Sequence, residues 1–111
     1  MPTLESTVLH LPKRYFEIVS ALLRQHVPQE EVWAYGSRVN GTGHEASDLD
    51  LVLRNHVDLA VESFGLMNLK NAFIESHLPI RVDVLDWALL PARFRSEIER
   101  EHVILQQGIQ G

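Results

Sequence analysis

Apolar positions along the chain follow two periods. Tyr15, Ile18, Val19, Leu22 and Leu23 recur at three- and four-residue spacing, which predicts an amphipathic helix over residues 12–26. Pro12 suits its first turn, where a missing N–H costs little, and Pro28 ends it. Residues 31–37 and 48–54 read as strands. The first carries Val32-Trp33-Ala34-Tyr35 up to Gly36, and the second interleaves Leu49, Leu51 and Leu53 with Asp48 and Asp50. Leu66, Leu69 and Phe73 mark a helix over about residues 63–77, stopped by Pro79. Ile80 to Trp87 reads as a third strand. Pro91 opens a further helix to about residue 101, with Phe94 and Ile98 inward, and Val103-Ile104-Leu105 supplies a short last strand. Residues 38–47, with Gly41 and Gly43, read as a loop, and 55–61 carry no clear period. Helix–strand–strand–helix–strand–helix is an α/β order. The short connection between the first two strands permits an antiparallel pair, giving a small mixed or antiparallel sheet flanked by helices.

Composition narrows the setting. The 111 residues correspond to a single domain. Fifteen acids against ten bases give a net charge of −5. That argues against direct nucleic-acid binding by phosphate neutralisation but leaves room for a nucleotide, which a metal can screen. The absence of cysteine excludes disulfides and thiolate metal sites. No apolar run approaches the roughly 18 residues of a transmembrane helix. The start, Met1-Pro2-Thr3-Leu4-Glu5, lacks the basic and apolar regions of a signal peptide. The expectation is a cytoplasmic protein with no membrane partner.

The candidate chemistry lies where the first two strands meet. Asp48 and Asp50 point to one side of a strand, about 6–7 Å apart, while Leu49, Leu51 and Leu53 point to the other, into a core. Adjacent like charges are costly to hold together unless a cation sits between them. Oxygen-only ligands suit Mg²⁺. Gly36-Ser37 offers bare backbone N–H groups that suit a phosphate. Metal and phosphate together suggest phosphoryl or nucleotidyl transfer. The third strand holds Asp83 and Asp86, whose odd spacing puts them on opposite faces. Asp83, mid-strand between Val82 and Val84, is expensive without a partner and is the better third ligand, with Arg81 beside it to pair with it. Asp86 is expected to cap the following turn. His44 reads as a solvated loop residue, and no histidine has triad partners. Trp33 and Trp87 read as core or interface anchors.

The ordered set Gly36-Ser37-Arg38-Val39-Asn40-Gly41, then Ser47-Asp48-Leu49-Asp50-Leu51, then Arg81-Val82-Asp83 resembles the nucleotidyltransferase superfamily of the DNA polymerase β type. Its nearest likeness is to the minimal nucleotidyltransferases (MNT proteins) of HEPN/MNT toxin–antitoxin pairs. The resemblance covers about residues 12–105 and implies a nucleotidyltransferase fold. It also implies roles: Gly36 and Ser37 hold the β- and γ-phosphates of ATP, and Asp48 and Asp50 carry two Mg²⁺ ions. Asp83 shares the metal nearest the attacking hydroxyl and assists its deprotonation, and Arg38 adds charge to the departing pyrophosphate. Asn40 stands where many members carry a second basic residue, which weakens the phosphate clamp. The implied partner is a small helical HEPN-family RNase, a toxin that accepts AMP on a tyrosine.

Two functions of different class follow. One is a Mg²⁺-dependent enzyme that transfers AMP from ATP to the partner and so acts as antitoxin. The other is a non-catalytic binding module that neutralises the partner by contact. The three aspartates favour the enzyme; Asn40 keeps the module in play. The larger family members bring extra substrate-binding domains, for which this chain has no room, so the acceptor site is expected on another protein.

Overall fold

The computed structural model describes residues 9–41 and 47–108, with the side chain of Asn40 excepted. The elements run α1 (Lys13–His26), β1 (Glu31–Tyr35), α2 (Ser37–Asn40), β2 (Leu49–Arg54), α3 (Leu66–Glu75) and β3 (Val82–Asp86). A single 3₁₀ turn (Trp87–Leu89), α4 (Ala92–Arg100) and β4 (Val103–Gln106) complete the order. The sheet order is β3-β2-β1-β4. β1 is antiparallel to β2 and β4, and β2 is parallel to β3. The sheet is therefore mixed, with the one parallel pair bridged by a crossover through α3, as parallel pairing requires.

Register sorts the side chains into rows. Val84, Leu51, Ala34 and Val103 align across all four strands. They belong to a core that also takes Val19 and Leu23 of α1 and Leu69 and Phe73 of α3. Leu49, Leu51 and Leu53 are fully buried there, as their parity predicts. The opposite face is covered too. Leu85, Val52, Trp33 and Ile104 form a second row, packed with Trp87, Phe94 and Ile98 of the 3₁₀ turn and α4. Trp33 and Trp87 meet edge to face at 5.5 Å. Arg54 lies over both rings, 3.9 Å from the Trp33 centroid and 4.6 Å from that of Trp87, and pairs with Glu31. Both tryptophans are thus core anchors.

Several boundaries differ from the sequence reading: the third strand spans Val82–Asp86 where that reading puts 80–87, and α3 ends at Glu75 where it puts 77. Three further differences have a backbone reason. The first strand ends at Tyr35 because Gly36 takes φ 84°, ψ −154°, a region that glycine alone enters cheaply. The stretch read as loop from residue 38 instead begins with the short helix α2, closed by left-handed Gly41 at φ 84°. Gly65, also left-handed at φ 88°, delays α3 to Leu66. Asp86 behaves as expected: buried, it accepts from Ala88 N–H at 3.2 Å and also from Ser63 N–H at 2.7 Å. It thereby fastens the segment between β2 and α3 to the end of β3. No helix among the described residues is long and apolar enough to cross a membrane.

Candidate active site

The row next to Leu85–Val52–Trp33 on the same face is Asp83–Asp50–Tyr35. Two residues along each strand, the apolar cover formed by α4 and the 3₁₀ turn gives out and the side chains become polar. Asp50 is central. Its parallel-strand partner is Asp83, and its antiparallel partner is Tyr35, with strands about 4.8 Å apart. Asp48 precedes β2 and is exposed. Asp83 is partly exposed and accepts from Arg81 Nε at 3.2 Å, the pairing expected from their shared parity. Among the described residues, neither Asp48 nor Asp50 makes an ion pair with a lysine or arginine.

That charge balance is visible in Asp50. Its carboxyl is pushed up to about 6, first by burial and then by the charges of Asp83 and Asp48. Tyr35 is driven well above its usual value, again by burial first and then by Asp50 and Asp83, so its hydroxyl stays protonated at any physiological pH. The ring packs edge to face on Phe94 of α4 at 5.8 Å. As the side chains stand, no three acidic or imidazole groups among the described residues are gathered tightly enough to form a ready-made metal cage. The donor set nevertheless fits a hard divalent cation. It consists of oxygens alone, and its anions repel one another with too little positive charge nearby to balance them.

Gly36 sits against this centre. A β-carbon built on it would collide with Asp50 Oδ2. The glycine is therefore required twice, for its positive φ and for its close approach to the carboxylate. Ser37 follows as the first residue of α2, and Val39 N–H donates to Gly36 C=O at 2.9 Å. Arg38 is buried. Its Nε donates to Ser47 C=O at 3.0 Å and its Nη1 to His10 C=O at 2.8 Å, while His10 N–H returns a bond to Arg38 C=O at 2.7 Å. The guanidinium thus anchors the residue just ahead of Asp48.

The structure brings together Gly36, Asp50 and Asp83, with Asp48 alongside in solvent and Arg38 beneath Ser47. His44 lies outside the described residues. One neighbour, Tyr35, escaped the sequence reading, and Arg38, named there for its charge, has a structural role that the sequence did not show. Tyr35 shares Trp33's parity, but its place beside Asp50 depends on cross-strand register. The anchoring duty of Arg38 depends on a contact 28 residues away in sequence. His10 reaches the site only through its backbone, by the bonds to Arg38, and two other histidines are engaged elsewhere. His102 stacks on Trp33 at 3.8 Å, and His56 Nδ1 lies 2.8 Å from Glu30 Oε1.

Comparison with known proteins places the chain in a family. Residues 17–108 match the family model "Polymerase beta, Nucleotidyltransferase". The "Probable protein adenylyltransferase MntA" of Haemophilus influenzae (strain Rd) is 41% identical over 99 residues, spanning 89% of this chain and 85% of its own. Two solved structures share the fold. A chain from a toxin–antitoxin crystal structure with AMP-PNP superposes with TM-score 0.65 at 22% identity, and one from a mutant toxin–antitoxin MntA–HpeT with TM-score 0.64 at 19%. Each match covers 83% of this chain and 73% of the other. The chain belongs to the polymerase β nucleotidyltransferase family, and the expected α/β nucleotidyltransferase fold is the one observed.

Proposed function

We propose that this nucleotidyltransferase moves AMP from ATP to a hydroxyl, by preference a tyrosine, of a HEPN-type toxin and so acts as its antitoxin in the cytoplasm. The carrying observation is the Asp83–Asp50 pair on adjacent parallel strands, with Gly36 pressed against Asp50. The kinship with an adenylyltransferase, and the fold shared with chains of toxin–antitoxin crystal structures, support the choice of AMP and of a toxin as acceptor.

In the proposed reaction the acceptor oxygen attacks the α-phosphorus, the bond from that phosphorus to the β-phosphate oxygen breaks, and pyrophosphate leaves. Asp48, Asp50 and Asp83 would hold Mg²⁺, which supplies charge to the phosphates and acidifies the acceptor hydroxyl. Asp83, at the open edge of the row, takes up the hydroxyl proton. Gly36 and Ser37 present backbone N–H groups at the start of α2 for the β- and γ-phosphates. Arg38 holds the chain ahead of Asp48 and brings positive charge to the pyrophosphate end.

The test uses ATP labelled at either the α- or the γ-phosphate, incubated with Mg²⁺, this protein and its toxin partner. Label should reach the partner from the α position only. Label from the γ position would replace nucleotidyl transfer by phosphorylation. No label from either, with the toxin still neutralised, would leave the contact-only binding module.

A further inference from the structure

The strand that carries Asp83, β3, is one of the two edge strands of the sheet. Leu49 N–H donates to Arg81 C=O at 2.9 Å. By alternation Arg81 and Asp83 turn their backbone groups toward β2, and Val82 and Val84 turn theirs outward. Among the described residues no other strand pairs with that side. A groove of about 420 Å³ runs along it. Six consecutive residues, 80 to 85, line one wall. An unbroken run like this marks the rim of a strand, because one face would contribute only alternate residues. The other wall comes from α3, including Lys70 and the exposed Ile74. The groove is lined by both cations, Lys70 and Arg81, and it reaches Asp83.

We propose that an extended acceptor segment docks in this groove by adding a strand to the edge of β3, and that this delivers its hydroxyl to Asp83. The proposal rests on the AMP-transfer reading for its chemistry. The outward N–H and C=O groups of Val82 and Val84 supply main-chain affinity for any extended chain. The apolar wall around Ile74 and Leu78 takes an alternate side chain, and Lys70 selects acidic neighbours of the acceptor hydroxyl. Arg81 is paired with Asp83, so of the three charged residues lining the groove Lys70 supplies the net positive charge that attracts an acidic segment, although the protein's net charge is −5.

The probe is a short synthetic peptide with one central tyrosine flanked by alternating glutamate and threonine, with a lysine-for-glutamate version as its pair. Docking is read without nucleotide, from backbone amide NMR of the whole chain. The amides of Val82 and Val84 should shift and exchange more slowly with the acidic peptide than with the basic one. Lys70→Glu should weaken binding of the acidic peptide by about tenfold, or 1.4 kcal/mol, and narrow or invert the preference. Val82→Pro removes an outward donor and tests the same edge, with its folding checked by melting temperature. Shifts confined to other surfaces, no shifts at all, or an edge already protected in a dimer of this chain would overturn the docking mode. AMP transfer to the peptide with ATP and Mg²⁺ is measured separately. Docking without transfer would sink the transferase reading and leave the groove; undiminished transfer by Lys70→Glu and Val82→Pro would do the reverse.

Discussion

Gly36 and Asp50 stand so close that the glycine cannot accept a β-carbon without striking the carboxylate. One is the hinge between β1 and α2, the other the centre of the polar row on β2. Their contact fixes the turn proposed to hold phosphate to the candidate metal-binding strand. Gly36→Ala therefore meets two penalties, a left-handed φ and a collision. The backbone conformation alone (φ 84°, ψ −154°) costs about 1–3 kcal/mol for a residue with a β-carbon, and for a domain of this size each kcal/mol lowers Tm by about 4–8 °C. The same substitution should abolish the melting shift given by ATP with Mg²⁺, which for wild type at about a hundredfold excess over Kd corresponds to roughly 2.7 kcal/mol. Thermal melts with EDTA, with Mg²⁺, and with Mg²⁺ and ATP check both statements. An unchanged Tm with an unchanged shift would contradict the geometry.

Neighbouring residues of β2 should respond oppositely. Leu51 is fully buried in the main core, so Leu51→Ala should cost about 2–5 kcal/mol. Asp50→Asn relieves repulsion from Asp83 and Asp48 and should leave the metal-free protein as stable as wild type or more so. Urea denaturation of the two variants in EDTA makes the comparison. A large loss in Asp50→Asn would recast that carboxylate as a structural hydrogen-bond acceptor.

The raised Asp50 carboxyl sets a pH dependence. Its folded value of about 6 lies above its ordinary one, so the folded state holds the proton more tightly than the unfolded chain does. The stability from this group is complete below the ordinary carboxylate range, near pH 4, and is lost as pH rises through about 6. Other acids titrate in the same window, so the relevant quantity is wild type minus Asp50→Asn. In EDTA that difference should fall between pH 4 and 7; saturating Mg²⁺ should flatten or reverse it, because a cation competes with the proton. A flat difference in EDTA would mean that neither burial nor the charges of Asp83 and Asp48 raise the Asp50 carboxyl in the folded state.

Much of this was legible in the sequence because it is local. Among the described residues, the apolar periods located every helix and strand longer than four residues. The parity of Leu49, Leu51 and Leu53 identified the buried face, and the odd spacing of Asp83 and Asp86 put Asp83 beside Asp50 and left Asp86 to bond the following turn. What escaped depends on contacts between distant segments. The helix α2 is four residues long and too short to show a period. The partnership of Tyr35 with Asp50 follows from antiparallel register, and the second apolar row through Val52 exists only because α4 folds over it. Arg38 shows the same limit: its motif position suggested a phosphate, while its bonds to Ser47 and His10 required the folded chain.

The central claim is that the aspartate row performs AMP transfer rather than serving only to bind. The direct measurement is the intact mass of the proposed toxin partner after incubation with ATP and Mg²⁺, using wild type and the Asp48→Asn, Asp50→Asn double variant. Loss of the charge stabilisation supplied at these carboxylates removes several kcal/mol, with each 1.4 kcal/mol worth about tenfold in rate. The expected result is a mass gain of one or more AMP units with wild type only, while the double variant still binds the partner. No mass gain with wild type, together with full neutralisation of the toxin by the double variant, would contradict the account.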